Sequence, residues 1–115
     1  MGKLTTHILD TANGRPAAGV DIRLYALGKD RELVAAATSN ADGRTAKPLL
    51  EGSAMAAGRY ELEFDIGDYF RARNLPLGEP AFLDTVVIRF ALDGEQHYHV
   101  PLLATPWSYS TYRGS

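Results

Sequence analysis

Two stretches of the chain alternate apolar and polar residues strictly enough to predict their conformation. Over residues 59–67, Tyr60, Leu62, Phe64 and Ile66 alternate with Glu61, Glu63 and Asp65. This period of two predicts a strand with one face in the core and the other in solvent. Residues 84–92 repeat the pattern, with Val86, Ile88, Phe90 and Leu92 set against Thr85, Val87, Arg89 and Ala91. Weaker alternation predicts a strand over 4–10, with Leu4, Thr6 and Ile8 on one face and Thr5, His7 and Leu9 on the other. Residues 20–27 predict a strand with Val20, Ile22 and Leu24 inward, and another begins at Leu33.

Turn chemistry separates these runs. Asn13-Gly14 with Pro16 and Gly19 marks a loop, Gly28-Lys29-Asp30 a hairpin, and Asn40-Ala41-Asp42-Gly43 a tight turn in which Gly43 supplies the positive φ. That turn places Arg44 at its exit. Residues 52–58 are small and predict a loop or a frayed helical turn. Residues 68–74 predict a short helix before the break at Pro76-Leu77-Gly78. With two more strands near the C-terminus, the chain reads as an all-β sandwich of about eight short strands, spaced as such folds are. No internal repeat or linker divides it, so residues 1–115 are expected to form one domain.

Composition narrows function more than fold. A formal net charge of -2 gives no pull toward nucleic acid or anionic membranes. Zero cysteines exclude disulfides and cysteine-ligated metals. No apolar run approaches a membrane span, and the N-terminal residues lack a signal-peptide core, so a cytoplasmic location is expected. There is no phosphate-binding glycine loop and no nucleophile elbow.

The candidate chemistry lies in three histidines and two arginines. His97 and His99 share a strand face, opposite Tyr98, Val100 and Leu102, while Pro101 in the same run lacks a ladder donor. His97, nearest the turn, reads as a solvated histidine; His7 and His99 are the better candidates for proton exchange. Only His97 and His99 have ligand-like spacing and no carboxylate cluster accompanies them, so no metal site is expected. Arg44 reads either as a functional cation or as a surface residue paired with Asp42. Arg113, between Tyr112 and Gly114, has the planar fork that suits a carbonyl or carboxylate ligand. The 97–115 run is too aromatic for a disordered tail, which predicts a packed strand to the chain end. Periodicity alone yields a sandwich with unexplained polar groups and no reaction.

Three motifs add one. TTHILDTANGRPAAGV over 5–20, the DGR turn at 42–44 and HYHVPLLATPWSYSTYRGS over 97–115 resemble the 5-hydroxyisourate hydrolases, the transthyretin-related enzymes of purine breakdown. The resemblance covers essentially the whole chain, and its most specific part is the terminal Tyr112-Arg113-Gly114-Ser115. Transthyretin itself shares the SYST run without that ending or the histidines. Ala104-Thr105 and Trp107 depart from common family choices at positions where change is expected to be tolerated.

The resemblance implies a transthyretin-like two-sheet sandwich with one short helix. It also implies a homotetramer built as a dimer of dimers, with clefts at the dimer–dimer interface and no cofactor. The implied reaction is the hydrolytic opening of 5-hydroxyisourate in urate degradation. His7, Arg44, His99 and Ser115 carry over as catalytic positions. Tyr112, Arg113, Gly114 and Ser115 carry over as substrate-binding positions, with His7 and Arg44. Which histidine serves as the base stays open. Two other classes compete: a transthyretin-like carrier of a small aromatic ligand, and a purely structural sandwich.

Overall fold

The computed structural model describes residues 2–73 and 78–114. The Pro76-Leu77 part of the expected break, the expected helix end at Asn74, and Ser115 lie outside the described residues. In chain order the strands are β1 (Lys3–Asp10), β2 (Arg15–Pro16), β3 (Asp21–Leu27), β4 (Arg31–Thr38), β5 (Leu50–Glu51), β6 (Gly58–Phe64), β7 (Val86–Leu92), β8 (Tyr98–Ala104) and β9 (Tyr109–Thr111). A single turn of 3-10 helix, Gly52–Ala54, follows β5, and helix α1 (Ile66–Ala72) follows β6.

The strands form two sheets. One runs β2-β1-β8-β9, with β5 also pairing with β1; the other runs β4-β3-β6-β7. Every pairing is antiparallel except that of β1 with β8, which is parallel and sets Thr5 opposite His99 and His7 opposite Pro101. The inward faces carry the alternation read from the sequence. Leu4 and Ile8 of β1, Ile22 and Leu24 of β3, Leu62 and Phe64 of β6, and Val100 and Leu102 of β8 are all buried in one core. Stripping such side chains of water is the main force holding the sheets face to face.

Three expectations need correction. The 59–67 strand ends at Phe64, and Ile66 instead opens α1, two residues before the predicted helix start. Ile66, Tyr69 and Phe70 bury the helix by an i, i+3, i+4 stripe that overlaps the strand pattern. Glu61, predicted to face solvent, is buried: Arg31 and Arg89 clamp it at 2.9 and 2.7 Å. Neighbouring Glu63 and Asp65 are held by Arg23 at 3.0 and 2.7 Å, so arginines cover the outer face of this sheet. Finally, β4 starts at Arg31, and a register shift between Leu24 and Tyr25 leaves Leu33 and Val34 exposed on that edge.

Pro101 sits in a strand with neighbours on both sides, where proline is rarely tolerated. The register explains it. His99 exchanges both backbone groups with Gly114, donating at 3.4 Å and accepting at 2.6 Å. Residues two apart in a strand send their backbone groups to the same side. The missing Pro101 donor therefore falls toward Tyr112, in the gap between the Gly114 bridge and β9. Thr111 Oγ1 donates to the Pro101 carbonyl at 2.8 Å, so the acceptor is still used.

Candidate active site

The parallel β1–β8 pairing builds the site on the outer face of the first sheet. The alternation that points Leu4, Thr6 and Ile8 inward turns Thr5 and His7 outward, and the register turns His99 the same way. The two imidazoles lie with ring centroids 6.2 Å apart and planes inclined by 35°. Both are half-buried, whereas His97 is exposed, with Nδ1 accepting from the Lys3 amide at 3.2 Å. His97 thus behaves as the solvated histidine its position predicts.

Arg44 joins them through the turn before it. Gly43 has φ +74, and its α-carbon lies so close to the Ile8 carbonyl that a β-carbon would collide with that oxygen. This approach lets the Gly43 carbonyl accept from the Ile8 amide at 2.8 Å, and a β-bridge pairs His7 with Arg44. Asn40 Oδ1 completes the turn by accepting from the amides of Asp42 and Arg44 at 2.9 and 3.2 Å. Only glycine combines this φ with this contact. Arg44 is exposed and makes no ion pair among the described residues, so the alternative pairing with Asp42 is not formed.

Electrostatics favour neutral rings. Burial lowers the pKa of His99, and the charges of Arg44 and His7 lower it further. Burial and Arg44 also lower the pKa of His7, against an opposing hydrogen bond to the Asp42 backbone and the Asp42 charge. The His99 ring is held by Thr5, whose Oγ1 lies 2.8 Å from Nδ1.

The chain terminus frames the other side. Gln96, His97, His99, Tyr112, Arg113 and Gly114 line an open cleft of about 740 Å³. Arg113 stands at its rim, where its guanidinium stacks 4.3 Å over the Tyr98 ring and donates to Gln96 Oε1 at 2.8 Å. In the single chain it is therefore anchored rather than extended toward the histidines. A smaller cleft of about 170 Å³ lies on the Arg44 side, lined by Thr5, Arg44, Lys47 and Pro48 among others.

The family model described as the HIUase/Transthyretin family matches residues 4–114. The chain belongs to the HIUase/Transthyretin family. Among the relatives it resembles in this family is the 5-hydroxyisourate hydrolase of Pseudomonas aeruginosa, 54% identical over 117 residues that span 100% of this chain and 93% of that protein. Of solved structures, the Klebsiella pneumoniae 5-hydroxyisourate hydrolase is 37% identical with a TM-score of 0.82, covering 100% of both chains. An (S)-allantoin synthase crystal structure is 44% identical with a TM-score of 0.95 over 99% of this chain, which spans 44% of that longer one. The transthyretin-like sandwich expected from the sequence is thus the fold of this family member.

The structure brings together His7, Arg44, His99 and Gly114 of the residues singled out in the sequence, with Tyr112 and Arg113 at the rim. Ser115 lies outside the described residues. Sequence reasoning passed over Thr5 and Asp10. Strand parity places Thr5 on the face of His7, a legible signal, but its partner is 94 residues away. Asp10 looked like a strand end. It is buried and accepts from the Ala12 and Asn13 amides, from Asn13 Nδ2 and from the Tyr69 hydroxyl, tying β1 to α1.

Proposed function

We propose that this chain is a cyclic-amide hydrolase, working as one domain over residues 1–115, that opens the ring of 5-hydroxyisourate with water. The product is 2-oxo-4-hydroxy-4-carboxy-5-ureidoimidazoline, a step in urate degradation. The observation that carries this reading is the convergence of His7 and His99 on one sheet face beside Arg44. The full-length similarity to 5-hydroxyisourate hydrolases names the substrate.

Ring opening needs a base for water and positive charge where an oxyanion develops. A neutral histidine of the pair takes a proton as the water oxygen bonds to the ring carbonyl carbon. The tetrahedral oxyanion then collapses, the carbon–nitrogen bond breaks, and the histidine returns the proton to the leaving nitrogen. Arg44 stabilises the oxyanion, while Tyr112, Arg113 and Gly114 bind the substrate at the cleft rim. Ser115 helps to orient the water. No cofactor takes part in this scheme. The chain assembles as a homotetramer, a dimer of dimers, which closes the open clefts between copies.

The test follows decay of freshly generated 5-hydroxyisourate by its ultraviolet absorbance, with and without protein. Acceleration over the spontaneous rate is expected, and a rate equal to it favours the small-ligand carrier instead. His7→Asn and His99→Asn should each lower the rate by roughly 10²–10⁴-fold if both do acid–base work. A loss below tenfold for both would remove the histidines from the mechanism.

A further inference from the structure

The pairing of two histidines leaves one matter unassigned: which ring nitrogen of His99 carries the proton. We propose that Thr5 is a positioning residue that holds His99 as the Nδ1–H tautomer, leaving Nε2 as the basic atom facing the cleft. The proposal rests on the hydrolase reading above and deepens it.

The His99 ring is gripped on two edges. On one, Thr5 Oγ1 lies 2.8 Å from Nδ1, brought there by the parallel register that sets Thr5 opposite His99. On the other, the Gly114 backbone presses so close that a β-carbon there would lie 3.1 Å from His99 Cδ2 and 3.2 Å from its Cβ. A residue larger than glycine would force the ring to give by a few tenths of an ångström. Among the described residues Nε2 has no hydrogen-bond partner, and the ring borders the large cleft.

A neutral imidazole has one N–H, and the bond made by one nitrogen decides the state of the other. A threonine hydroxyl both donates and accepts, so the contact admits two arrangements. If the hydroxyl donates, Nδ1 is occupied and Nε2 carries the only proton, which leaves no basic atom at the cleft. If Nδ1–H donates to Oγ1, Nε2 is free, and the same hydrogen bond persists when Nε2 takes a proton. The second arrangement alone serves a base, and it also steadies the imidazolium that forms.

The decisive measurement is nitrogen-15 NMR of the His99 ring in the full-length protein, assigned by difference against His99→Asn. In the wild type at pH 8, Nδ1 should show the shift of a protonated nitrogen and Nε2 that of an unprotonated one. Thr5→Val keeps the branched shape of the side chain but removes the acceptor. It should abolish the tautomer preference and lower kcat about tenfold or more, with KM changed less than about twofold, a smaller loss than removal of the base itself. Thr5→Ser, which restores a hydroxyl, should recover most of both. A wild-type ring protonated at Nε2 overturns the proposal, as does a Thr5→Val protein with unchanged tautomer and kcat. If Thr5→Val does not fold, the wild-type and Thr5→Ser spectra still decide. If the wild type fails to hydrolyse 5-hydroxyisourate, the functional reading falls, whereas the spectrum judges the tautomer independently.

Discussion

Arg44 illustrates how one exposed side chain shifts the titration of two others. Its charge, after burial, lowers the pKa of both His7 and His99. A base works only while neutral, so lowering its pKa extends activity below the ordinary histidine value of about 6.5. Replacing Arg44 with Gln removes one of the lowering influences and leaves burial in place. The acid limb of the kcat/KM profile should then move to higher pH, toward that ordinary value, while the plateau rate falls from loss of oxyanion stabilisation. An acid limb that stays put or moves lower in Arg44→Gln would contradict the electrostatic role. Stability has its own sign. Both folded-state values are depressed, so below about pH 6.5 the unfolded chain binds protons more readily, and stability is lost as pH falls through the folded pKa.

At the level of elements, β1 carries Thr5 and His7 at its centre and is fastened at its end by Asp10. That carboxylate is buried, which pushes its pKa up, but hydrogen bonds from Asn13, Tyr69 and Ala12 outweigh burial and hold it below the ordinary range. The tie contributes stability above the ordinary carboxylate pKa that is lost as pH falls through the lowered one. Asp10→Ala orphans the buried Tyr69 hydroxyl and the amides of the following turn. A loss of about 2–4 kcal/mol is expected, given ~1–3 kcal/mol for each buried donor left unsatisfied. Urea denaturation would measure it, and a loss under about 0.5 kcal/mol would show the tie to be incidental. The same element scale explains why Glu61 misled the sequence reading. Alternation says which face a residue takes, but not that arginines on β4 and β7 will fold over it.

For the whole molecule, the terminus is where fold and function separate. The ladder of β8 with β9 closes with Leu102 opposite Thr111, before the Tyr112-Arg113-Gly114-Ser115 ending. Removing residues 112–115 should therefore leave the two sheets and the melting temperature nearly intact. It strips the Gly114 clamp from His99 and the rim from the large cleft, and hydrolysis should fall at least ~10²-fold, as for loss of an acid–base group. Circular dichroism beside the substrate-decay assay distinguishes the outcomes: full activity in the truncated chain would leave the ending without a role, and unfolding would make that role structural.

Much of this was legible in the chain itself. Strand faces over β1, β3, β6 and β7, the Gly43 turn and the candidacy of His7, Arg44 and His99 follow from local periodicity and turn chemistry, because backbone geometry imposes a period of two on any strand. The motif resemblance supplied the reaction. What the sequence left undecided is which strands become neighbours, since pairing is settled by long-range burial of both sheets at once. The parallel register of β1 with β8, joining segments at opposite ends of the chain, is such a choice. It alone puts Thr5 against Nδ1 of His99 and brings that imidazole to the face where strand parity already sets Thr5 and His7, joining residues 94 positions apart.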